Sequence, residues 1–170
     1  MTYTEIYLQC HSQQSYRHQK IRSDLEAVTP KRYCENELVN LLCSSFAGKA
    51  EQCGAVLEVR TTLPQKLSIS DTELCAILSN GLENALGAVA QLPKEQRKIS
   101  LYCGVRQNKL LIEITNPYAG EVVLQDGIPR AQRDGHGYGC RSIRTIAEKH
   151  QGICAFDAEN GVFTLRVVLT

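Results

Sequence analysis

Three glycines alternate in Gly135-His136-Gly137-Tyr138-Gly139, and the run passes directly into Cys140-Arg141-Ser142-Ile143-Arg144-Thr145-Ile146. Glycine is disfavoured inside helices and strands, so such a run marks a turn. Cys140, Ile143, Ile146 and Ala147 then recur at helical spacing. A glycine-rich turn that opens a helix presents free N–H groups at the positive end of the helix dipole, where phosphate binds. Arg141 and Arg144 oppose that dipole unless an anion completes the site. A flexible loop followed by a surface helix with two solvated arginines fits the same residues.

Asn80 and Asn84 form the second chemistry-bearing set. The spacing predicts a helix over 71–91, with Asp71 as N-cap and Leu74 as its first core residue. Leu74, Leu78, Leu82, Ala85 and Val89 fall within about 80° of one another, and Asn80, Asn84 and Gly87 within about 60°, well apart from that stripe. Asparagine prefers caps and turns to helix interiors. Two carboxamide oxygens one turn apart are hard donors of the kind Mg²⁺ and its waters take. Two solvated asparagines on an outer face satisfy the same spacing.

These residues need elements to hold them. Residues 3–28 are polar and helix-permissive, with Ile6, Leu8, Ile21, Leu25 and Val28 as sparse apolar points, ending at Thr29-Pro30. A helix is predicted over 34–53, with Gly54 just past its end, and a strand over 55–60. Strands near 98–105 and 109–115 form a hairpin, and a final hairpin pairs 153–158 with 162–169. Residues 117–138 carry no convincing element, which in a compact domain indicates a lid, a binding loop or disorder. A helix over 139–150 follows. The order predicts an α+β fold: a two-layer sandwich of about three helices on one face of a mixed sheet of about five strands, plus the N-terminal helix. The expected division is a helical segment 1–30 and a domain 31–170.

At 170 residues and a net charge of +1, the chain has the size of one domain and lacks the basic surplus of a nucleic-acid binder. No apolar run reaches membrane-spanning length, and no signal-peptide pattern opens the sequence. The eight cysteines include no C-x-x-C pair and lie mostly in apolar patterns, as reduced, buried thiols would. The four histidines form no ligand-spaced cluster with them.

In order along the chain, Leu78-Ser79-Asn80-Gly81-Leu82-Glu83-Asn84-Ala85, Ile114-Thr115-Asn116-Pro117, Asp134-Gly135-His136-Gly137-Tyr138-Gly139 and Gly161-Val162-Phe163 resemble the ATP-binding boxes of the GHKL superfamily. The likeness covers about 33–170 and is strongest to the catalytic domain of bacterial sensor histidine kinases, in the branch with peptide-sensing quorum receptors. Tyr33-Cys34-Glu35-Asn36 and Val39-Asn40 also resemble that branch.

The resemblance implies the Bergerat fold, ATP and Mg²⁺ as cofactors, and transfer of the γ-phosphoryl group to a histidine on a dimerisation domain. It implies that Asn84 ligates Mg²⁺ and that Asn80 stands where hydrolysing relatives carry a catalytic glutamate, so hydrolysis is expected to be slow. Gly135, Gly137 and Gly139 would wrap the phosphates. Asn116 would accept from the adenine amino group, in place of the usual aspartate. It opens a degenerate first glycine box that ends at Gly120. Gly87, His136, Tyr138, Arg141, Arg144 and Thr164 complete the nucleotide-binding set that the resemblance implies.

Expected partners are the dimerisation and phosphoacceptor domain, a response regulator and a second copy in a homodimer, with no nucleic acid. The expected location is cytoplasmic, including the cytoplasmic part of a membrane-anchored sensor. Arg17-His18-Gln19 resembles an Arg-His-Asp acceptor motif at its first two residues only, and the span from His18 to Asn80 has room for the end of one long helix. The acceptor is therefore expected outside this chain. An anti-sigma-factor type of serine kinase and a nucleotide-binding module without turnover stand as alternatives.

Overall fold

The computed structural model describes residues 32–130 and 138–170. The expected N-terminal helix, the segment 1–30 and His18 lie outside the described residues, as do Gly135, His136 and Gly137. The described elements run α1 (Glu37–Gln52), β1 (Val56–Thr62), α2 (Asp71–Val89), β2 (Lys98–Arg106) and β3 (Lys109–Pro117). Then come β4 (Leu124–Gln125), β5 (Ile128–Pro129), α3 (Tyr138–Lys149), β6 (Ile153–Glu159) and β7 (Val162–Leu169). A short 3₁₀ turn, Lys94–Gln96, precedes β2.

One five-stranded sheet has the order β1-β2-β3-β7-β6, with β1 and β2 parallel and every other pair antiparallel. The parallel pair needs a crossover, and α2 supplies it. Two of the three antiparallel pairs, β2–β3 and β6–β7, are joined by two-residue turns with both residues left-handed, Gln107-Asn108 and Asn160-Gly161. That geometry matches the twist of the strands it connects. This is the α+β sandwich with a mixed sheet that the element order predicts.

Register decides the two faces. Ile99, Leu101 and Cys103 of β2, Leu110, Ile112 and Ile114 of β3, and Leu165, Val167 and Leu169 of β7 are buried under the helices. On the other face, exposed cross-strand pairs stand in their place: Glu58 with Lys98 at 2.8 Å and Glu113 with Arg166 at 2.7 Å. Core residues such as Leu74, Ile77, Leu78 and Leu82 are at most 1% exposed. Each contributes about 1.5–3 kcal/mol by burial.

Two asparagines fix how the chain enters this unit. Asn36 caps α1, accepting from the Val39 N–H at 3.0 Å, and donates to the Gln65 carbonyl at 3.1 Å. Asn40 accepts from the N–H groups of Tyr33 and Cys34 at 2.8 and 3.0 Å and donates to the Cys34 carbonyl at 2.9 Å. The asparagines in the Tyr33–Asn40 stretch thus do structural work here. Seven cysteines (34, 43, 53, 75, 103, 140 and 154) are free thiols. No helix of the described residues is long and apolar enough to cross a membrane.

Candidate functional site

Helix α2 is capped by Ser70, not Asp71: its side chain accepts from the Glu73 N–H at 3.3 Å. The Ser-x-x-Glu pattern at 70–73 carries this signal. Glu73 also receives Lys149 at 2.7 Å and His150 at 3.1 Å, so the start of α2 is tied to the end of α3. These hydrogen bonds, Lys149's first, then those of Ser70 and His150, lower the Glu73 carboxyl from 4.5 to about 2.

The buried stripe of α2 is wider than the predicted one, because Ile77 and Gly81 join it. At Gly81 the helix sits almost on the sheet: a Cβ there would lie 2.6 Å from Ile114 Cδ1 and 3.0 Å from Leu165 Cδ2. Asn80, half-buried, and Asn84, exposed, are left on the flank toward α3. Gly139 packs against Asn80, where an added Cβ would fall 3.1 Å from Oδ1. Asn84 Nδ2 donates to Cys140 Sγ at 3.3 Å. Gly87 lies one turn further along, exposed, with no atom within 4 Å of the position of a Cβ. The structure therefore brings Asn80 and Asn84 together with Gly139 and Cys140, the opening residues of α3.

Asn116 closes β3. Its register partner is Phe163, which puts it on the helix side of the sheet. It is 3% exposed, and its Nδ2 donates to the Pro117 carbonyl at 2.9 Å. That bond uses one of the two amide N–H donors and orients the amide, with the oxygen an acceptor. Thr164 pairs with Thr115 instead, so it stands on the opposite face from Asn116 and does not join this cluster. Phe163 is the neighbour that shares Asn116's side. Gly120 is exposed at φ +78°, and the Tyr118 N–H donates to the Gly161 carbonyl at 3.1 Å, fastening the start of the long loop.

That loop is not without structure. Leu124–Gln125 and Ile128–Pro129 form a small hairpin about Asp126-Gly127, both left-handed, and the Arg130 N–H donates to the Val123 carbonyl at 2.9 Å. The Asp-Gly pair was the signal available in the sequence. Arg144 is also placed differently from expectation: its two Nη groups donate to the Asp126 and Gly127 carbonyls, each at 2.8 Å. Its guanidinium faces this turn and not the asparagine pair. Arg141 and Tyr138 are exposed.

The cluster's chemistry follows from its donors. No group of three or more His, Cys, Asp or Glu among the described residues could hold a metal. A cation here would need oxygen from an amide and from its own ligand. Asn84 fits, since one N–H of its amide is turned to Cys140 Sγ and its oxygen is an acceptor. Burial pushes the Cys140 thiol up while the Asn84 hydrogen bond pulls it down, and the net shift is upward. Cys140 is therefore a neutral thiol that accepts a hydrogen bond, not a nucleophile. Glu83, the acid between the asparagines in sequence, pairs with Lys49 of α1 at 3.7 Å.

The GHKL domain profile matches residues 69–170, a stretch that spans both asparagines, the glycine turn and the last hairpin. Among solved structures, the catalytic domain of the histidine kinase ThkA is similar at 17% identity and TM-score 0.63, over 78% of this chain and 91% of that one. The mycobacterial sensor histidine kinase MprB is similar at 17% identity and TM-score 0.55, over 78% and 93%. Full-length ShkA, solved in complex with AMPPNP, is similar at 14% identity and TM-score 0.59, over 78% of this chain and 29% of its own. Identities this low express a likeness of fold. The sequence finds no match among curated proteins.

Proposed function

We propose, for a chain that belongs to the GHKL domain family, that this unit is the ATP-binding catalytic domain of a sensor histidine kinase. The observation that carries the reading is the packing of the Asn80/Asn84 flank of α2 against Gly139 and Cys140, where the glycine-rich turn becomes α3. One side of that junction offers carboxamide oxygens and the other the N-terminus of a helix, which suits a metal-bound polyphosphate laid along it. At the far end, Asn116 offers the amide oxygen that a purine amino group needs.

Asn84 would hold Mg²⁺, which when bound neutralises charge on the phosphates. The chain's own residues position the nucleotide: α3's first N–H groups face the phosphates, and Gly87 leaves room beside them. Phosphoryl transfer asks little covalent chemistry of the protein. An imidazole nitrogen of the acceptor histidine bonds to the γ-phosphorus as the bond to the β–γ bridging oxygen breaks and ADP leaves. Asn80 takes no proton at neutral pH, and Glu83 is held on the other flank by Lys49. Among the described residues the flank thus lacks a base to activate water, which favours transfer over hydrolysis.

The acceptor domain, a response regulator and a second copy are the partners this reading requires, and the setting it requires is the cytoplasm. Titration with Mg-ADP and Mg-ATP tests it: Mg²⁺-dependent binding is expected, and no binding at millimolar nucleotide would overturn it.

A further inference from the structure

Arg144 belongs to α3, five residues past Gly139 of the glycine-rich turn, yet its side chain is committed to the 124–129 hairpin. Both ends of its guanidinium donate to consecutive carbonyls of the Asp126-Gly127 turn, each at 2.8 Å. The planar fork of arginine matches two such acceptors in a way an ammonium cannot. The turn is built for the contact: Asp126 and Gly127 are both left-handed, and a Cβ on Gly127 would lie 3.3 Å from Nη2. The hairpin strands are two residues each, too short to hold themselves in place. Holding both carbonyls at once fixes the direction of the guanidinium, so its remaining N–H groups reach a phosphate only where the hairpin carries them.

We infer that Arg144 is a positioning residue that pins the 124–129 hairpin to α3 and acts on a bound nucleotide only through that hairpin. The first half stands on the geometry alone. The second rests on the proposal that the neighbouring cleft takes a nucleotide. Loss of the fork frees the hairpin to open, so any nucleotide it covers escapes faster whatever its phosphate count.

Hydrogen exchange on the nucleotide-free protein tests the first half, with Arg144→Gln and the conservative Arg144→Lys. Exchange of the hairpin amides, Arg130 among them, should quicken about tenfold or more in Arg144→Gln, with partial protection kept in Arg144→Lys. Amides of β2 and β3 should be unchanged, which separates hairpin release from general unfolding. Unchanged hairpin exchange in Arg144→Gln would overturn the inference.

For the second half, Mg-ATP, Mg-ADP and AMP are titrated against wild type and Arg144→Gln. A common rise in dissociation constants is expected, with KM raised and kcat at saturation kept. A loss that grows with the number of phosphates would overturn it and make Arg144 a direct phosphate ligand. If wild type binds none of the three, the nucleotide reading fails and takes the second half with it, while the exchange result still decides the first.

Discussion

Gly81 sets the height of α2 above the sheet, and with it the position of Asn80 and Asn84. An alanine there gains about 1 kcal/mol of helix propensity over glycine. Its Cβ, however, would meet Ile114 Cδ1 at 2.6 Å and Leu165 Cδ2 at 3.0 Å, and all three positions are buried. Overpacking of this kind costs about 1–3 kcal/mol, so Gly81→Ala should be destabilising by up to about 2 kcal/mol. Ile114→Val alone removes the clashing methyl and costs about 0.5–1.5 kcal/mol. In the double variant the new Cβ enters the space left by Ile114 Cδ1, the closer of the two contacts is relieved with the 3.0 Å approach to Leu165 Cδ2 remaining, and the propensity gain survives. The two changes should therefore couple favourably by about 1–2 kcal/mol, part of the overpacking cost and above the error of a double-mutant cycle. Urea unfolding of wild type, both single variants and the double variant measures the coupling, with constant m values as the check on two-state behaviour. Additive effects would refute the claim that α2 rests on Ile114 at this point. Nucleotide affinity should follow the same cycle, weakened in Gly81→Ala and restored in the double variant.

Three further outcomes are expected. Glu73 has its carboxyl held at about 2 in the folded chain against an ordinary 4.5, so its contribution is complete above 4.5 and lost as pH falls toward 2. Thermal melts should thus show a steeper acid decline across that window for wild type than for Glu73→Gln, and identical slopes would contradict it. Gly87→Ala, with open space about its Cβ, should raise stability by about 0.5–1 kcal/mol while narrowing the cleft and weakening Mg-ADP binding. Asn84→Ala should abolish the Mg²⁺ dependence of ADP binding; Cys140→Ala should weaken that dependence about two- to fivefold and Cys140→Ser keep it. Equal Mg²⁺ dependence in all three would remove Asn84 as the ligand.

Much of this was legible because burial imposes a period. The stripe from Leu74 to Val89 and the alternation of Ile99, Leu101 and Cys103 pointed to the right faces, and the family boxes pointed to the GHKL family that the domain profile matches. In β7, Phe163, Leu165, Val167 and Leu169 alternate with Val162, Thr164, Arg166 and Val168, so the side of the sheet that Thr164 takes was open to the same reading of period two. The 124–129 hairpin escaped because two-residue strands have no period, though Asp126-Gly127 marked its turn. Arg144's destination lies 17 and 18 residues away and Cys140's partner 56, and no local pattern encodes contacts at that range. Ile77 and Gly81 were missed because α2 is contacted from the sheet and from both flanking helices, which widens the buried arc beyond a single stripe.

The central claim is donation of phosphate to a histidine. Incubating the protein with γ-labelled ATP, Mg²⁺ and a helical domain carrying an acceptor histidine, then treating the labelled product with acid, tests it most directly. The account predicts label on the acceptor that acid removes and alkali leaves in place. Acid-stable label, or none in a preparation that binds Mg-ATP, would contradict it.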